Sequence, residues 1–78
     1  MRNVYVAEYE GLEKKAFSNA GKAQAWAKAY LTNVRETIVS KDDETTIIES
    51  DKGAELMIRK PDGRMVILKV TIDRLVVE

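Results

Sequence analysis

Ser18-Asn19-Ala20-Gly21-Lys22-Ala23-Gln24-Ala25-Trp26-Ala27-Lys28-Ala29-Tyr30-Leu31 is the stretch on which the reading of the fold turns. Ala20, Ala23, Ala27 and Leu31 recur at spacings of three and four, with Trp26 and Tyr30 on the same flank. Residues so spaced share one side of a helix, because the α-helical turn holds 3.6 residues. Lys22 and Lys28 fall on other faces, toward water. Ser18 stands where an N-cap belongs, its hydroxyl able to accept from a backbone N–H one turn in. Asn33 suits a left-handed C-cap, so the predicted helix covers about residues 19–32. Gly21 in its first turn either permits close approach to a strand or is a tolerated helix defect.

Outward from this helix the apolar residues come in short bursts with strand character. Asn3–Tyr9 alternates Val4, Val6 and Glu8 against Tyr5, Ala7 and Tyr9, which predicts a strand. Glu10-Gly11 then marks a turn. Leu12–Phe17 reads as a short edge strand, with a plain extended connection as the alternative. Beyond the helix, Val34–Ser40 is rich in β-branched residues and reads as a strand, followed by a solvated acidic turn at Asp42, Asp43 and Glu44. Thr45–Glu49 and Ala54–Lys60 are further strands, separated by a turn ending at Gly53. Lys60-Pro61-Asp62-Gly63 is the clearest hairpin signal: Pro presets φ for the first central position of a type I turn, and Gly takes the left-handed bulge after it. Arg64–Val70 is apolar on both faces, which places it centrally in a sheet; Thr71–Val77 extends it or bends into a last strand. The expected architecture is α+β, an antiparallel sheet of about five strands with one helix on one face. With no linker, repeat or low-complexity segment, residues 1–78 read as a single domain.

Composition removes several classes of function. No histidine and no cysteine are present, so the commonest general base, the thiolate nucleophile and the common transition-metal ligands are all missing. The serines at 18, 40 and 50 sit at expected caps and turns. No glycine-rich phosphate loop occurs, and the acidic run lacks the spaced oxygens and glycine of a calcium loop. A protein without enzymatic activity, metal or cofactor is therefore expected. Thirteen Lys plus Arg against thirteen Asp plus Glu leave no basic excess, which disfavours nucleic acid as the main partner. No apolar run is long enough to span a bilayer, and no leader is apparent before Val4, so a cytoplasmic protein is expected.

Three fragments, Val4-Tyr5-Val6-Ala7-Glu8-Tyr9, Ala16-Phe17-Ser18, and Lys22-Ala23 with Trp26-Ala27, resemble small phage and prophage accessory domains, in which a strand pair enters an Ala/Lys-rich helix through a Phe-Ser step. The layout is similar to that of some anti-CRISPR proteins, and the resemblance covers the N-terminal half only. It implies a protein-binding accessory role, such as inhibition of a host defence complex, and carries no catalytic residues. A weak nucleic-acid-binding accessory protein and a self-associating structural protein are the alternatives. Partner contacts are expected at Tyr9, Glu10 and Glu13 near the first turn, and at Arg59, Arg64 and Lys69 on the last hairpin. Homodimerisation through an edge strand belongs to the same expectation.

Overall fold

The computed structural model describes residues 2–77. Its elements are β1 (Arg2–Tyr9), β2 (Glu13–Phe17), α1 (Ala20–Ile38), β3 (Glu44–Ser50), β4 (Gly53–Arg59) and β5 (Met65–Val77). The strands form one antiparallel sheet in the order β2-β1-β5-β4-β3. The fold is the α+β architecture expected from the sequence. Helix α1 carries the chain from one edge strand, β2, to the other, β3, across a single face. β5 then enters the middle of the sheet, between β4 and β1.

The helix is longer than predicted, and the difference has a definite cause. Val34–Ile38, read from its β-branched composition as a strand, is the last part of α1. Leu31, Val34 and Ile38 continue the three-and-four spacing begun at Ala23 and Ala27. Burial of Leu31 and half-burial of Val34 on the sheet outweigh the few tenths of a kcal/mol by which such residues disfavour a helix. Thr32 and Thr37 satisfy their hydroxyls by donating to the carbonyls of Lys28 and Asn33. Asn33 is accordingly an interior residue rather than a C-cap, and Val39 ends the helix, its N–H donating to the Arg35 carbonyl. At the other end the cap is Asn19 rather than Ser18: Asn19 Oδ1 accepts from Lys22 N at 2.8 Å. Gly21 faces no strand; a methyl group there would meet only Asn19 Oδ1, at 3.4 Å.

Alternation assigns the two faces of the sheet as the sequence suggests. Ala7 of β1, Ala54, Leu56 and Ile58 of β4 and Val70 of β5 are buried under Ala27 and Leu31 of α1. Alanine at the crossing points lets the helix axis approach the sheet closely. Beside this core runs an aromatic row. Phe17 packs on Trp26 with ring centres 6.0 Å apart, Trp26 on Tyr30 at 5.0 Å, and Tyr30 on Tyr9 at 4.7 Å. Trp26 therefore joins helix to sheet from the flank of the core, half-buried rather than enclosed.

The acidic run is not a solvated hairpin tip. It joins α1 to β3, and the Asp43 side chain is only 1% exposed, paired with Lys60 Nζ at 2.9 Å. Asp43 also accepts from Ser40 N, while its pair with Lys60 ties this connection to the β4–β5 hairpin. That hairpin has the predicted form: Gly63 N donates to the Lys60 carbonyl, Lys60 N to the Arg64 carbonyl, and Gly63 has φ +91°. The β1–β2 turn carries positive φ at both Glu10 and Gly11, the mark of a type I′ turn, closed by Leu12 N donating to the Tyr9 carbonyl, with Leu12 left over before Glu13 pairs with Tyr9.

Thr71–Val77 does not bend away: β5 is a single strand of 13 residues. At about 3.3 Å per residue it runs about 43 Å, and it accounts for most of the 50 Å length of the molecule. Its two neighbours share it unequally. β1 pairs with Val70–Val77 and β4 with Met65–Thr71, so the two pairings overlap only at residues 70 and 71.

Candidate interaction surface

That stagger creates the most distinctive surface of the molecule. On the β1 side of β5, pairing stops at Tyr9 opposite Val70. The next contact is made by Glu10 alone: its N–H donates to the Lys69 carbonyl at 3.3 Å, and its Oε1 accepts from Lys69 N at 3.1 Å. Backbone groups alternate in direction along a strand, so Met65 and Ile67 point their N–H and C=O groups the same way as Lys69. Among the described residues no strand or turn meets them there. A second, mirror situation holds on the β4 side. Ile72 N donates to the Lys52 carbonyl, and beyond it Arg74 and Val76 face that side without a neighbouring strand.

Along these two half-edges apolar side chains lie uncovered. Among the described residues nine large apolar side chains are exposed, and six of them lie here: Met65, Val66 and Ile67 at one end of β5, Leu75, Val76 and Val77 at the other. A central strand apolar on both faces normally has neighbours on both edges. On the face away from α1, the register groups Met65 and Ile67 with Met57 of β4 and Ile48 of β3, a patch that no element covers. On the helix side, a groove of about 370 Å³ lies between Tyr9 and the last turns of α1, lined by Tyr30, Asn33, Val34, Thr37 and Ile38.

The six residues expected at an interface fall around this place unevenly. Glu10 and Lys69, far apart in sequence, are hydrogen-bonded and together close the inner end of the half-edge. Tyr9 lines the groove, half-buried against Tyr30 rather than projecting. Glu13 lies on β2 opposite Tyr9, on the helix face, where its carboxylate holds the Tyr30 hydroxyl above the usual tyrosine range. Arg64 stands just before the strand at its outer end, with its Nε on Asp62 at 2.7 Å and its side chain 77% exposed. Arg59 stands on the uncovered face opposite Met65, and Lys69 reaches toward Glu55 on the same face, 3.9 Å away. Each of these pairs is exposed and weak, yet Asp62 and Glu55 cancel the local positive charge. The apolar residues Met65, Val66 and Ile67, which composition and alternation placed in a central strand, are the part of the surface that sequence reasoning missed. Only the stagger of β1 and β4 exposes them.

Among the described residues no three His, Cys, Asp or Glu side chains gather as a metal site, and no helix is long and apolar enough to cross a membrane. Comparison with protein families, with curated proteins and with solved structures finds no match to this chain.

Proposed function

We propose that this chain is a non-enzymatic protein-binding module that takes up polypeptide by strand addition along β5. One observation carries the reading. The unpaired backbone of Met65 and Ile67 coincides with exposed apolar side chains on both faces of Met65, Val66 and Ile67. Unpaired N–H and C=O groups supply affinity to any added strand, and alternating apolar side chains on either face supply the contact area. Nucleic acid has little to bind here, because Arg64 and Lys69 already have carboxylate partners. In this role the protein acts as an accessory or inhibitor of a larger assembly, the use implied by its likeness in layout to small prophage domains.

A photo-crosslinking amino acid in place of Ile67 tests the reading, with the same group in place of the exposed Asp51 as control. The expected result in cells is polypeptide adducts through position 67 and none through position 51. Absence of any polypeptide adduct at position 67, or adducts to nucleic acid instead, refutes it.

A further inference from the structure

We infer that the strand completing the Met65–Ile67 half-edge is the same half-edge of a second copy of this chain, paired antiparallel with Met65 opposite Ile67 and Val66 on the two-fold axis. This rests on the strand-addition reading and names its occupant.

The backbone selects the register. In an antiparallel pair, residues that exchange both N–H···O=C bonds stand directly opposite each other. Met65 and Ile67 each offer one free donor and one free acceptor toward the β1 side. With the axis at Val66, Met65 of each copy meets Ile67 of the other, and all four free groups on each chain are satisfied. An axis at Ile67 would set Met65 against Lys69, whose N–H and C=O are already taken by Glu10. An axis at Met65 would set Ile67 against Gly63, whose N–H already closes the turn on the Lys60 carbonyl. A shift by one residue would turn the free groups of one copy away from the other.

The space available also suits this occupant. The gap in line with β1 is short, bounded inside by the Glu10–Gly11 turn and reaching only from Lys69 to Met65. A long extended strand would run into that turn. A strand that starts just after its own turn does not, and β5 starts in that way at Met65, two residues after Gly63. In this register Arg64 of each copy arrives opposite Leu68 of the other, beside the Glu10 carboxylate, so opposite charges meet at both ends of the joint. The overall formal charge of +0 sets no long-range repulsion against self-association.

Side chains are buried on both faces in one event. On the uncovered face Met65 and Ile67, 46% and 44% exposed, come to lie beside their counterparts and extend the patch begun by Met57 and Ile48. On the helix face Val66, 39% exposed, meets Val66 of the second copy. A two-fold axis perpendicular to the sheet keeps both helices on that same face. Ile38, 51% exposed at the end of α1, and the groove beside Tyr9 flank the new strand there. The product is one continuous ten-stranded sheet with an isologous joint.

Sedimentation velocity over a range from low micromolar to near-millimolar concentration, combined with a charge swap on the axis, provides the test. Wild type is expected to pass from the 8.8 kDa monomer to a dimer. Val66→Lys and Val66→Glu should each weaken association more than about tenfold, since like charges then face each other across the joint. Equimolar mixing of the two variants should restore a dimer containing one of each. Circular dichroism melting confirms that both variants fold, as expected for a half-edge position. A wild-type monomer throughout the range overturns the inference, as does a dimer that Val66→Lys leaves intact or one that mixing fails to rescue. If the protein stays monomeric while the crosslinker at position 67 captures other polypeptides, strand addition stands and the self-pairing falls. If no polypeptide is captured at all, both fall.

Discussion

Gly53→Ala puts the closest approach in the sheet under direct test. Gly53 opens β4 with φ +139°, a region that side chains other than hydrogen rarely enter. A Cβ built there would lie 1.9 Å from the Val70 carbonyl oxygen, with the Val70 carbonyl carbon at 3.0 Å and Thr71 Cα at 3.1 Å. All three are backbone atoms of the central strand, so no side chain can rotate aside. Restoring even a 3.0 Å contact requires β4 to retreat by about 1.1 Å, which breaks the ladder where Ala54 pairs with Val70 and Lys52 accepts from Ile72. Two or three hydrogen bonds at about 1 kcal/mol each, plus about 1–3 kcal/mol of backbone strain, give a loss of about 3–6 kcal/mol. A chain of 78 residues has about 4–12 kcal/mol in all, so the loss removes a large part of its stability and, at the low end of that range, unfolds the variant. Gly63→Ala is the matched control. Its φ is +91° and nothing lies within 4 Å of the added methyl, so it should lose only about 1–2 kcal/mol for the left-handed conformation. Urea unfolding followed by the fluorescence of Trp26, the single tryptophan, measures both. If Gly53→Ala falls within about 1 kcal/mol of Gly63→Ala, the close approach of β4 to Val70 is not what demands glycine.

Gly21→Ala should raise stability by about 0.5–1 kcal/mol in the same urea assay, because the site is exposed, helical and free of backbone neighbours. Lys60 holds the Asp43 carboxyl below its usual range, with a smaller contribution from Ser40 N–H, so this group stabilises the fold above the ordinary Asp pKa and loses that contribution as pH falls through its lowered value. Asp43→Asn should therefore melt below wild type at neutral pH, and the gap should close as pH falls through that lowered value; an unchanged gap in acid would disprove the coupling. Tyr30 is shifted the other way, raised first by the nearby Glu13 carboxylate and then by burial. The neutral phenol is the stabilising form, so its contribution is complete below the ordinary tyrosine pKa and is lost as pH rises through the raised value. Glu13→Gln should lower the Tyr30 titration midpoint followed by ¹³C NMR of the phenol carbon; a midpoint that stays put would remove Glu13 as the cause.

Much of the fold was legible along the chain because it depends on near neighbours. Strand alternation in Asn3–Tyr9 and Ala54–Lys60 sorted the side chains into two faces, since successive side chains in a strand must point to opposite sides. Pro61, Asp62 and Gly63 specified their hairpin through preset φ values, and the Ala23-Ala27-Leu31 stripe specified one helix against a sheet. Of the residues expected at an interface, Glu10 and Lys69 were legible as polar groups, but nothing local indicated that each would occupy the other's hydrogen-bonding groups. The end of α1 was a matter of packing: Val34–Ile38 has the composition of a strand, and only its place over the sheet makes it helix. The Asp43–Lys60 pair likewise required the connection after α1 to meet the β4–β5 turn. Above all, the division of β5 between β1 and β4 depends on registers among distant strands, which local pattern does not encode. Alternation told which way Met65, Val66 and Ile67 face; the tertiary stagger alone decided that their edge is bare.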